Sequence, residues 1–209
     1  MDLPSLKGRD VREYPYIFYP VGLNLRGRKV VLIGAADDRE AIEKNEALHE
    51  VGADLVWLTD WENVEEEDVA DAFFVLYTPQ VEPPAIKMRE YANKHKFLLC
   101  CIDQPKHGFV AMQATIKAGP VRIAISTGGI APRIGKLIKF ALERVMDEKF
   151  VRFIDCHNVQ KERNKARITT SAERRAAMIA KATGFTFDVE MTYPEWFEKE
   201  LENFRPTVL

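Results

Sequence analysis

The feature that most constrains this chain is a short apolar run closed by glycine, followed by a helical stretch and a second apolar run. Lys29 to Ile33 (KVVLI) stops at Gly34. Near-continuous apolar runs of this length suit a strand buried on both faces. From Glu40 to Val51 the residues Ala41, Ile42, Ala47, Leu48 and Val51 fall at helical spacing, and Gly52 stands ready as a C-cap. Asp54 to Thr59 (DLVWLT) reads as the second strand. One β-α-β unit over residues 29–59 predicts an α/β fold with a Rossmann-like, doubly wound parallel sheet.

The pattern then repeats. Ala72 to Tyr77 (AFFVLY) reads as a third strand, Pro83 to Lys94 as a helix and Phe97 to Ile102 (FLLCCI) as a fourth strand ending at Asp103. Val121 to Ser126 (VRIAIS) reads as a fifth, running into Thr127-Gly128-Gly129 and a helix from Pro132 to Met146. After Asp147 strand signals thin out, which predicts a mainly helical C-terminal region. The aromatics Tyr14, Tyr16, Phe18 and Tyr19 predict an N-terminal arm packed on the body.

Composition narrows the function. The 209 residues are 46% hydrophobic and 30% charged, as expected for a globular protein, and no apolar run reaches the roughly 20 residues that span a bilayer. Met1 to Asp10 has no apolar core and reads as no signal peptide. Three cysteines (Cys100, Cys101, Cys156) without a CxxC point to a reducing, cytoplasmic setting. A net charge of −2 argues against a dedicated nucleic-acid binder.

Three places could carry chemistry. The first strand-to-helix turn is where a dinucleotide would bind, because a helix N-terminus attracts a diphosphate. A full fingerprint is GxGxxG. Here the turn reads Gly34-Ala35-Ala36-Asp37-Asp38-Arg39, with only the first glycine. Ala36 puts a methyl group where backbone must approach phosphate, and Asp37 and Asp38 put negative charge there. The same acids also suit a plain helix start, where they favour the dipole. Asp60, after the second strand, has the position of a ribose-binding carboxylate. Second, Asp103 ends a strand at the carboxyl edge, as a general base, a metal ligand or an Asx-turn residue. His107, four residues on, could join it. Third, Ser126-Thr127-Gly128-Gly129 opens a helix carrying Arg133, Lys136 and Lys139, which favours an anionic carboxylate or phosphate ligand. No histidine pair has metal-ligand spacing. Cys100 and Cys101, adjacent on a strand, point to opposite faces and read as core residues.

These motifs resemble the precorrin-2 dehydrogenase / sirohydrochlorin ferrochelatase family, which includes the N-terminal module of siroheme synthases. Leu25-Arg26-Gly27-Arg28-Lys29-Val30-Val31 resembles the family's entry to its first strand, and Gly52-Ala53-Asp54 its approach to the second. Asp103-Gln104-Pro105 is similar to the D-x-P at its catalytic aspartate, and Ile125-Ser126-Thr127-Gly128-Gly129 with Pro132 to its I-S-T-G-G-x-x-P. The resemblance covers residues 19–147. It implies a Rossmann domain (1–115), a dimerisation segment (116–148) and a helical C-terminal domain (149–209), assembled as a homodimer. It implies oxidation of precorrin-2 to sirohydrochlorin with NAD, with iron insertion in some members. Asp103 takes the catalytic role, and Gly34, Ala35, Ala36, Asp60 and Thr78 the cofactor site. Ser126, Thr127, Gly128, Gly129, Arg133 and His107 then receive an anionic tetrapyrrole. The chain departs from the pattern around the cofactor: the glycine-rich turn is degenerate, A-T-D-D is here Tyr77-Thr78-Pro79-Gln80, and an asparagine is here Cys100. These departures suit a second reading, a family member without NAD that acts as a chelatase only or as a non-catalytic tetrapyrrole-binding or regulatory protein.

Overall fold

A computed structural model describes residues 18–200. Tyr14 and Tyr16 lie outside them. Of the other two arm aromatics, Phe18 is half-buried, but Tyr19 is 85% exposed and does not pack on the body as expected. The chain divides into two compact units. Among the described residues, one holds residues 18–114 together with Ser126–Ala131, and the other holds Thr115–Ile125 and residues 132–200.

The first unit is a four-stranded parallel sheet. Its strands are β1 (Lys29–Ile33), β2 (Asp54–Leu58), β3 (Phe74–Tyr77) and β4 (Leu98–Cys101), in the order β2-β1-β3-β4. Val31 stands opposite Val56 on one side and Val75 on the other, and Tyr77 pairs with Cys101. Side chains alternate between two cores. Val31, Ile33, Val75 and Tyr77 meet residues of α2 (Glu66–Val69) and α3 (Glu82–His95), while Val30, Leu32, Phe74 and Leu76 meet Leu48 of α1 (Arg39–Glu50). Helices on both faces bury both rows, which is why β1 beyond its first residue, and β3, are made of large apolar side chains. The sheet is therefore doubly wound, as expected. Gly52 follows α1 with φ +75°, and Pro83 and Pro84 sit in the first turn of α3, where backbone N–H groups need no helical acceptor.

The expected fifth strand takes a different place. Val121–Ile125 forms β6, which pairs with Ala114–Ala118 (β5) in a separate two-stranded sheet rather than extending the parallel one. The two-residue link Gly119-Pro120 makes this a hairpin, since so short a connection joins only antiparallel neighbours. Gly119 has φ +57°, and a Cβ there would come within 2.7 Å of Val151.

The rest of the second unit is helical: α4 (Pro132–Val145), α5 (Glu148–Arg167), α6 (Ser171–Ala182) and α7 (Glu195–Glu200). Asp147 caps α5 by accepting from the Phe150 N–H at 2.9 Å, and Thr170 caps α6. The Phe153 and Phe185 rings stack at 5.1 Å. Among the described residues no helix is long and apolar enough to cross a membrane.

Candidate functional site

The parallel sheet delivers the turn after β1 and the loops after β3 and β4 to one carboxyl edge. Gly34 is buried at the end of β1. Its carbonyl accepts from the Trp57 indole N–H at 2.9 Å, and its N–H donates to the Leu58 carbonyl at 3.1 Å. A Cβ on Gly34 would lie 2.2 Å from the Thr78 hydroxyl oxygen, so no side chain fits. That hydroxyl, on a 4% exposed residue, donates to Asp38 Oδ2 at 2.6 Å. The other oxygen of Asp38 accepts from the Glu40 N–H at 3.0 Å and caps α1.

This turn does not fit a dinucleotide. At the α1 N-terminus, where an anion would bind, a carboxylate of the chain itself already takes a backbone N–H. Asp37 and Glu40 add two more acids beside it. Nearby cations already have carboxylate partners, Arg39 with Glu43 at 2.9 Å and Lys44 with Glu40 at 2.6 Å. Ala35 and Ala36 belong to this closed turn, and Gly34 and Thr78 are the groups that close it. Asp60 is exposed, and both of its oxygens accept from the Asn63 amide at 3.0 Å.

Asp103 follows β4 with φ +56°, a left-handed conformation that costs a residue with a Cβ about 1 kcal/mol or more. Its Oδ2 accepts from the Gln80 amide at 2.9 Å. Gln104 donates from its amide to the Pro79 carbonyl, also at 2.9 Å. The side chain of each loop thus bonds the other loop. Neither glutamine was read as a site residue in the sequence. The signals were Gln80's departure from the A-T-D-D pattern and the position of both directly beyond two adjacent strand ends.

His107 bonds Glu82 rather than Asp103. Its Nε2 lies 3.4 Å from Glu82, which also pairs with Lys106. The Lys106 hydrogen bond, with His107 adding to it, holds the Glu82 carboxyl below its usual range. Arg89 fixes the same loop, donating to the carbonyls of His107 and Gly108 and stacking over Phe109 at 3.7 Å.

In the Ser126–Gly129 turn, Gly128 and Gly129 have φ of +62° and +78°, which accounts for both glycines. Ser126 accepts the Gly128 N–H at 3.2 Å, and the Ile130 N–H donates to Thr127 at 3.2 Å. Ser126 to Gly129 group with the sheet unit, and Arg133 with the helical unit. Cys100 and Cys101 enter opposite cores as expected. Burial pushes their thiols up to about 11 and about 12, so both are neutral and unreactive. Among the described residues no three His, Cys, Asp or Glu side chains converge to hold a metal ion.

No protein-family model matches the chain. Among curated proteins it is 25% identical over 174 residues to a siroheme synthase of Citrobacter koseri, covering 75% of this chain and 38% of that protein. A siroheme synthase of Xylella fastidiosa is also 25% identical over 179 residues, covering 75% and 37%. Siroheme synthase 3 of Aeromonas hydrophila is 31% identical over 84 residues, covering 40% and 18%. The chain therefore spans less than two-fifths of the length of these relatives. Among solved structures it superposes on SirC, a precorrin-2 dehydrogenase, with a TM-score of 0.61 at 19% identity, covering 78% of this chain and 88% of that one. The order of its motifs, its parallel sheet and these matches agree: the chain is similar in sequence to siroheme synthases and has the fold seen in SirC.

Proposed function

We propose that this protein handles an anionic modified tetrapyrrole in siroheme-type synthesis, inserting a divalent metal into the macrocycle without NAD. The kinship to siroheme synthases supports the substrate class. The observation that carries the reading is the closed turn of Gly34, Thr78 and Asp38, which disfavours a dinucleotide at the place where the fold would bind one. Metal insertion needs no electron acceptor. The metal ion, here a substrate, replaces two pyrrole N–H protons, and those protons need an acceptor. Asp103 suits that role as an exposed carboxylate held in strained backbone, with Oδ1 free of hydrogen-bond partners among the described residues. The Ser126–Gly129 turn, with two glycines at positive φ, suits a propionate or acetate of the macrocycle through its backbone N–H groups.

We also propose that the chain works as a homodimer through α4. Ile134, Leu137 and Phe140 are each more than half exposed, at 52%, 58% and 55%, and only Gly135 of this helix is buried. A helix this apolar and this open is covered in solution by another surface, and a second copy supplies a matching one.

The test is paired. Calorimetric titration with NAD and NADH should give no binding at millimolar concentration. Sirohydrochlorin with Fe2+ or Co2+ should be metallated faster with the protein than without it, as followed by absorbance. Micromolar NAD binding coupled to oxidation of precorrin-2 would establish the dehydrogenase instead. Tetrapyrrole binding without metallation would leave a carrier or regulator.

A further inference from the structure

The loops after β3 and β4 are held together by two amide side chains used reciprocally. Tyr77 and Cys101 are register partners, and the Ile102 N–H donates to the Tyr77 carbonyl at 2.9 Å, so the two loops leave the sheet side by side. Gln80 reaches from the first loop to Asp103 Oδ2, and Gln104 reaches from the second to the Pro79 carbonyl, both at 2.9 Å. Asp103 sits in a tight turn closed by the Gln104 N–H on the Cys101 carbonyl at 3.2 Å, in the left-handed region.

We infer that Gln80 is a positioning residue for Asp103, with Gln104 locking the two loops in register. The inference rests on Asp103 being the proton acceptor proposed above. A hydrogen bond between two exposed side chains contributes little to folding, because water competes for both groups. Its effect is geometric. The Gln80 amide N–H can only donate, so it selects one carboxylate oxygen and leaves Oδ1 as the atom that receives a proton. Without Gln80 the carboxylate rotates about its side-chain torsions, and the proton-accepting atom loses its address. Catalytic groups work only when held close to their reacting geometry. Because the amide is neutral, it also places no second carboxylate against Asp103.

The experiment uses the full chain, with sirohydrochlorin and Co2+ as substrates. Gln80→Leu removes the donor and leaves an uncharged side chain in its place. It should lower kcat about tenfold, leave KM within twofold and leave Tm unchanged. Gln104→Leu should do the same more weakly. Crystal structures should show one Asp103 rotamer in the wild type and several in Gln80→Leu. Full activity in Gln80→Leu with an unmoved Asp103 overturns the inference alone, and so does a loss of kcat that tracks a loss of Tm. Asp103→Asn separates the levels. An active Asp103→Asn, or an inactive wild type, overturns the proton-acceptor reading and takes the inference with it.

Discussion

Gly34 and Thr78 show how one close approach governs a turn. The Thr78 hydroxyl fills the space where a Cβ of residue 34 would go. Gly34→Ala should therefore destabilise the protein by roughly 1–3 kcal/mol, the usual range for overpacking a filled site. Thr78→Ala should cost about 1 kcal/mol through the lost bond to Asp38. The double variant should be less destabilised than the sum, because removing the hydroxyl makes room for the new methyl. Urea unfolding of the four proteins measures this coupling. Asp38 sits forty residues from Thr78, and no local pattern links them. The acidic turn was visible in the sequence, but its closure was not. The same holds for His107. Its nearness in sequence to Asp103 suggested a pair, yet it faces Glu82, which α3 brings to it from 25 residues away.

At the scale of elements, the four strands of the parallel sheet were legible because both of their faces are covered. That leaves runs such as KVVLI and FVLY almost free of polar residues. β6 was legible as a strand but not in its partner. Its alternation, with Arg122 and Ala124 exposed between half-buried neighbours, marks a sheet open on one face, and β5 (ATIKA) has too few large apolar residues to announce itself. Gly119 joins the two at φ +57° against Val151. Gly119→Ala should weaken the helical unit while leaving the sheet unit intact, giving selective loss of hydrogen-exchange protection in α5. The α4 face makes a separate prediction. Leu137→Asp should shift the protein from dimer to monomer in light scattering without loss of helical circular dichroism. A wild-type protein that is already monomeric at micromolar concentration would refute the dimer.

For the molecule as a whole, three buried acids set its alkaline limit. Burial raises Tyr77 to about 12, Cys100 to about 11 and Cys101 to about 12. Well below pH 9 these groups are protonated in both folded and unfolded chains and contribute no pH dependence. Above pH 9 the unfolded chain releases its thiol protons, and above pH 10 its Tyr77 proton, while the folded chain retains them. Stability must then fall steadily as pH rises from 9 toward 12. Thermal unfolding across that range should show the decline, and Cys100→Ala should flatten its first part. Cys156 is exposed, so iodoacetamide at pH 8 should label it alone until the protein unfolds.

The closed turn also bears on how easily this chain could change its chemistry. Asp38 bonds both the helix start and Thr78, so removing it uncaps α1 and leaves a buried hydroxyl without its acceptor. Asp37, Glu40 and the Ala36 methyl would all still stand against a diphosphate. Opening the turn to a diphosphate would therefore take several substitutions together, and the one at Asp38 would cost stability. The contact that shapes the turn is thus the same contact that holds the helix start in place, so ligand preference and stability are tied to one carboxylate.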